Sequence, residues 1–157
     1  MYSENAKVVP IMNAADVSTG LDCDSMNMAG FHKATLLFTF GAVTTNITIT
    51  PTSGTSAGTK TNAVPLRYAE GGAAIGTAVA GSTASCDVLA AWTYHASAAS
   101  VTAATNKFVV VEIDAADITS GDNWLTVTVA AGTGGICHCV AVLWPRYSAG
   151  RSATCLA

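Results

Sequence analysis

Three consecutive residues, Cys137-His138-Cys139, have side chains that bind metals and act in nucleophilic catalysis. Cysteine and histidine are the usual ligands of structural zinc. In a β-strand, however, successive side chains point to opposite faces, so His138 is expected to lie opposite the two cysteines. A structural zinc site also needs two further ligands, and the sequence contains no second close pair of cysteine and histidine. We therefore predict buried thiols in a strand and no metal site.

The sequence gives little support for catalysis. A cysteine nucleophile requires a nearby histidine base and a third group that orients the base. His32, His95 and His138 are the available histidines, and none of them occurs in a recognised local pattern. A Gly-x-Ser-x-Gly elbow and a glycine-rich phosphate loop are also missing from the sequence. We expect a protein that is not an enzyme, with no catalytic residue and no cofactor.

Charge is scarce throughout the 157 residues. Charged residues make up 11% of the chain, whereas soluble domains usually contain about 25%. A surface poor in charge suits lasting contact with other protein better than life as a free monomer. The lysines and arginines are scattered and the net charge is -3, which argues against nucleic acid as a partner. No apolar stretch is long enough to span a membrane, so we expect no membrane contact.

The N-terminal residues lack the charged and apolar regions of a secretory signal. We expect the protein to be made in a cytoplasm, where thiols stay reduced. The five cysteines are therefore not expected to form a disulfide framework.

Five segments combine β-branched, aromatic and alternating apolar residues, the pattern typical of β-strands. They are residues 34–40, 45–50, 108–114, 124–129 and 137–144. Pro51 to Ser56 has the composition of a loop, and the glycines at 132, 134 and 135 indicate a hairpin turn. No segment has the length and pattern of a crossover helix. We predict one all-β domain over residues 1–157, an antiparallel β-sandwich that is jelly-roll-like.

The first residues of the chain show no clear strand pattern. We expect residues 1–19 to form an extended arm that reaches a neighbouring subunit. The apolar residues that would anchor the arm at this interface are Val8, Val9, Ile11 and Met12. Ordering an arm costs conformational entropy, which such anchors must offset.

Three segments in this order resemble a group of small tailed-phage virion proteins, the head decoration or cement proteins. They are residues 24–35 with Gly41-Ala42, residues 108–113 followed by Asp117, and Val140 to Leu143 with Pro145-Arg146-Tyr147. The resemblance covers about residues 8 to 148, and Cys137-His138-Cys139 lies outside the family pattern. It implies a homotrimer on the capsid surface of the virion, with the major capsid protein as partner and no catalytic residue.

A second class of function stays open, a receptor- or glycan-binding β-sandwich module of a phage fibre or tail. Aromatic side chains supply the stacking surfaces of such modules, although aromatics in strands more often belong to a core or an interface. The candidates here are Trp92, Trp124, Trp144, Tyr68, Tyr94 and Tyr147. The decoration class predicts association with a shell, and the recognition class predicts exposed aromatics and saturable binding to a polysaccharide.

Overall fold

The computed structural model describes residues 6–43, 45–76, 85–102, 104–131, 133–146 and 154–156. Within these ranges the chain forms twelve β-strands and one 3-10 turn, Ala115–Asp117. The strands are β1 Lys7–Asp16, β2 Leu21–Asp22, β3 Met26–Asn27, β4 Phe31–Val43, β5 Ile47–Gly54, β6 Asn62–Ala63, β7 Leu66–Glu70, β8 Thr93–His95, β9 Ala99–Val101, β10 Phe108–Asp114, β11 Trp124–Ala131 and β12 Gly135–Pro145. The predicted all-β class is confirmed.

Two antiparallel sheets pack against each other. Sheet A has the strand order β1-β12-β4-β10-β7-β8. Sheet B has the order β2-β11-β5-β6, with β3 also paired to β11 and β9 to β5. The predicted antiparallel sandwich is therefore confirmed. The predicted hairpin between β11 and β12 is wrong, because β11 belongs to sheet B and β12 to sheet A, so the chain turns a corner between the sheets there.

The core lies between the sheets and follows the alternation of the long strands. Fully buried residues of β4 and β12 are Ala34, Leu36, Phe38, Cys137, Cys139, Ala141 and Leu143. Sheet B contributes Ile47, Ile49, Val127 and Val129 to the same cluster. Each strand thus turns one face inward and the other outward, as expected where a sheet is covered on one side only.

The extended arm expected over residues 1–19 is corrected by the structure. Lys7–Asp16 forms β1, which pairs with β12 along its length and makes one edge of sheet A. Residues 1–5 lie outside the described part of the chain. The strand pattern was hidden from sequence analysis because register shifts between Pro10 and Met12, and between Met12 and Ala15, break the alternation.

The four predicted anchors of the arm separate into two groups. Ile11 and Met12 are 2% and 6% exposed and belong to the protein's own core. Val9 is partly buried against that core. Only Val8, which is 53% exposed, still has a side chain free to contact another molecule.

β5 continues through Pro51, where a loop was expected. Proline has no N–H to donate, which usually excludes it from the middle of a sheet. On one side of β5, β9 pairs with Ile47 to Ile49 and β6 pairs with Thr52 and Ser53. Pro51 therefore lies between the stretch of β5 that pairs with β9 and the stretch that pairs with β6. The missing N–H of Pro51 costs no backbone hydrogen bond to either of these strands.

Candidate functional site on the outer face of sheet A

The outer face of sheet A, turned away from the core, divides into two parts with different chemistry. Strand register aligns Pro10, Val140, Leu37, Val110 and Ala69 in one row across five strands. The next row contains His138, Thr39 and Phe108, and Ile136 follows at the end of β12. We call these nine residues the apolar half. None of them is Asp, Glu, Lys or Arg.

Large apolar side chains in and beside the apolar half are open to solvent. Ile136 is 49% exposed. Val8, at the β1 end of the adjacent row that contains Val142 and Thr35, is 53% exposed. Ile136 lies over Gly41, since a Cβ built on that glycine would be 3.4 Å from the Cβ of Ile136. Burial of such side chains by another protein is favourable by about 25 cal/mol for each Å² of apolar surface removed from water. Val110 and Ala69 are already buried within the chain, so the candidate contact surface is the part of the apolar half on β1, β12 and β4.

The other part of the outer face carries charge. The register aligns Thr35, Glu112, Arg67 and Tyr94 in one row and Trp144, Lys33 and Asp114 in the next. We call these seven residues the charged half. Two contacts inside it fix side chains in place. Lys33 Nζ donates to Glu112 Oε2 at 2.6 Å, and Trp144 Nε1 donates to Thr35 Oγ1 at 3.1 Å.

A cleft of about 290 Å³ opens in the charged half. Its lining residues are Lys33, Pro65, Leu66, Arg67, Tyr94, Glu112, Asp114 and Asp117. Two cations and three carboxylates meet in it, a formal charge of -1. Within the described residues, only Lys33 and Glu112 of these charged groups are joined in an ion pair. The cleft therefore offers donors and acceptors to a ligand.

The predicted buried thiols are present, with one addition that sequence could not supply. Cys137 and Cys139 are fully buried on the inner face of β12, and His138 lies on the outer face. Cys23, from another part of the chain, is their neighbour. Burial and the Cys23 thiol raise the pKa of Cys137 to about 12. Burial and a hydrogen bond with Cys23 also raise the pKa of Cys139.

With raised pKa values, Cys137 and Cys139 are neutral thiols at physiological pH, and neutral thiols are poor nucleophiles and poor metal ligands. The described residues contain no cluster of three or more His, Cys, Asp and Glu side chains that could hold a metal ion. Of the remaining histidines, His32 is exposed near one end of β4. The ring of His95 packs against that of Tyr68 at 5.5 Å.

The aromatic residues that the recognition class would use as a platform are only partly brought together. Tyr94 and Trp92, on and just before β8, are 59% and 45% exposed. Trp144 is half-buried on the same outer face as Tyr94, whereas Tyr68 packs against the core. Trp124 is half-buried on β11 of sheet B, and Tyr147 lies outside the described residues.

No protein-family model matches the chain, and no curated protein matches it. The crystal structure of SPBc2 prophage-derived protein YomS is similar over 88% of this chain and 93% of that chain, with 16% sequence identity and a TM-score of 0.49. Among the described residues, no helix is long and apolar enough to cross a membrane. The function of the chain is therefore best argued from its own surface.

Proposed function

We propose that this protein is a structural component of a tailed-phage virion, a head decoration or cement protein. It binds the major capsid protein at the outer surface of the assembled shell and associates with itself as a homotrimer. The observation that carries the proposal is the uncharged apolar half of sheet A, with the exposed side chain of Ile136 in it and that of Val8 in the adjacent row. The sequence resemblance to decoration proteins points to the same role.

The composition of the surface suits such a contact. A standard interface covers about 800 Å² on each partner, roughly a tenth of the 7498 Å² surface of this chain. Interface cores are depleted in charged residues, and this chain has a charged fraction of only 11%. The apolar half is the part of sheet A where that depletion is complete.

Contact through the sheet face is favoured because the β1 edge is poorly suited to pairing with another chain. An open edge strand can add strands of a second molecule through its free N–H and C=O groups. In β1, however, Pro10 lacks an N–H, and register shifts follow it on both sides of Met12. The backbone N–H of Asp24 also donates to the Ile11 carbonyl at 2.8 Å. This favours packing of the apolar half against a partner over strand pairing through β1.

A protein that binds the assembled shell but not its separated subunits stabilises the shell by mass action. No chemistry is required, because the free energy of binding adds directly to the free energy that holds the shell together. A trimer matches the three-fold positions of an icosahedral shell, so that three equivalent contacts form together.

The first test is the mass of the protein in solution and its binding to shells. Light scattering is expected to give about 47 kDa, three times the 15.8 kDa of the chain. Empty phage shells assembled without this protein should then bind it in a fixed ratio on sedimentation and melt at a higher temperature. A monomer that does not sediment with the shells would contradict the proposal.

Matched variants assign the contact to the apolar half. Val8→Asp and Ile136→Asp each place a charge on a side chain that is about half exposed, so folding should be retained. Each variant is expected to lose shell binding or trimer formation. Ser100→Asp places the same charge on an exposed residue of β9 in sheet B and serves as the control. Equal binding by all three variants would show that the apolar half is not the contact surface.

A further inference from the structure

We infer that the cleft in the charged half of sheet A is a binding site for a neutral saccharide. This site is separate from the apolar half, and its existence does not depend on the proposed role in a capsid. It rests on the register of the strands, the unpaired polar groups of the cleft and the exposed aromatic side chain at its edge.

The floor of the site is a continuous row of side chains on one face of the sheet. Thr35, Glu112, Arg67 and Tyr94 are direct cross-strand neighbours on β4, β10, β7 and β8. Adjacent strands lie about 4.8 Å apart, so the row is about 14 Å wide. Val142 continues the row on β12, and Trp144 lies in the next row, from which its Nε1 donates to Thr35 Oγ1 at 3.1 Å. The row thus has a polar centre with Tyr94 at one end, and Trp144 lies beside its other end.

The polar groups alternate between donors and acceptors. Arg67 presents guanidinium N–H donors, and Asp114 and Asp117 present carboxylate acceptors. Among the described residues, none of these three side chains has an ion-pair partner. The Lys33–Glu112 pair, with side chains 28% and 30% exposed, is held in place by its own short contact. Each hydroxyl group of a sugar both donates and accepts, which matches such a mixed surface.

Tyr94 supplies the apolar contact that sugars also require. Its side chain is 59% exposed on an edge strand, although it lines the cleft. Trp92, two residues earlier, is 45% exposed. One face of a pyranose ring carries mainly C–H groups, and these pack against the electron-rich face of an aromatic ring. Leaving two large aromatic side chains in water without a ligand costs solvation free energy.

The charge of the cleft selects against other polar ligands. With two cations and three carboxylates, its formal charge is -1. Phosphate-bearing ligands and nucleic acids require clustered positive charge, and this cleft repels them weakly. A neutral polyhydroxylated ligand meets no such repulsion, and its affinity should change little with salt.

The test uses four neutral probes, maltohexaose, cellohexaose, mannohexaose and chitohexaose, added to the isotopically labelled full chain. Amide resonances of β7, β8 and β10 around Arg67, Tyr94 and Glu112 are expected to shift with at least one probe. A saturable Kd on the order of 1 mM or tighter is expected, since a few stacking and hydrogen-bond contacts give affinities of this order. The same Kd should be measured at low and at high salt.

Two variants and a control locate the binding. Tyr94→Ala should weaken binding at least about tenfold, as loss of a central aromatic contact does. Arg67→Lys keeps the charge but loses the planar fork of donors, and should weaken binding by a smaller factor. Ile136→Ala removes an exposed apolar side chain from the apolar half and should leave the Kd unchanged. The inference is overturned if no probe binds, if resonances shift elsewhere, or if Tyr94→Ala binds as tightly as the wild type.

Discussion

Replacement of Ile11 by alanine tests whether β1 belongs to the protein's own core or reaches a neighbouring molecule. Ile11 is 2% exposed within a single chain and belongs to the central hydrophobic cluster. Val8, on the opposite face of the same strand, is 53% exposed. The two residues thus provide a matched pair in which burial differs and the strand is shared.

The expected loss of stability follows from the burial. Truncating a buried isoleucine to alanine costs about 2 to 5 kcal/mol, because apolar contact is lost and a cavity remains. A value of about 3 kcal/mol is reasonable for a strand at the edge of a sheet, and Val8→Ala should cost less than about 1 kcal/mol. Domains of this kind are stable by about 5 to 15 kcal/mol, so the Ile11 variant should still fold.

Urea denaturation followed by the fluorescence of the three tryptophans measures the difference. With a slope of about 2 kcal/mol per molar urea, the midpoint of Ile11→Ala should fall by about 1.5 M. This shift should not depend on protein concentration, because Ile11 packs within its own chain. A shift that grows as the protein is diluted, or one no larger than that of Val8→Ala, would refute the placement of Ile11 in the core.

Three further predictions follow from the other contacts. Ser25→Ala leaves the buried Thr126 hydroxyl without the partner that lies 2.7 Å away, so the free energy of unfolding should fall by about 1 to 3 kcal/mol in the same urea assay. Burial raises the pKa of Asp22, but hydrogen bonds from a threonine and a lysine outweigh it and hold the pKa below 3.8. At neutral pH the wild type should therefore be more stable than Asp22→Asn by about 0.5 kcal/mol, a small value because the Asp22–Lys60 ion pair is exposed. This difference, measured by urea denaturation at a series of pH values, should vanish as the pH falls below 3.8. Four of the five cysteines are buried, and burial raises the pKa of Cys137 to about 12. Ellman's reagent at pH 8 should therefore react quickly only with the half-buried Cys86 in the folded protein. The four buried thiols should react after unfolding.

The long strands could be predicted from the sequence because alternation and β-branched residues carry the signal. Phe108–Asp114 is a strand over the predicted residues, and the alternating segments at 124–129 and 137–144 lie within β11 and β12. β1 escaped prediction for the opposite reason, since its register shifts disturb the period of two. Pro51 escaped because local composition does not reveal where the partner strand changes.

The candidate sites could not be predicted from sequence, because they depend on pairings between distant residues. Arg67 and Glu112 become neighbours only through the register of β7 with β10. Cys23 meets Cys139 only because the two sheets pack face to face. Val8 and Ile11 were both predicted to contact a neighbouring subunit. The side chain of Val8 is exposed, so its contact stays a prediction, whereas Ile11 is buried within the protein's own core.

The position of β12 between β1 and β4 has a consequence for how the protein is made. Residue 135, where β12 begins, is 92 residues beyond residue 43, where β4 ends. At about 5 to 20 residues per second, a ribosome needs about 5 to 18 seconds to cover that distance. Throughout this interval β4 and β1 emerge without the strand that joins them, and apolar edges face the crowded cell. Recombinant yield should therefore rise when chaperones hold the nascent chain during this interval.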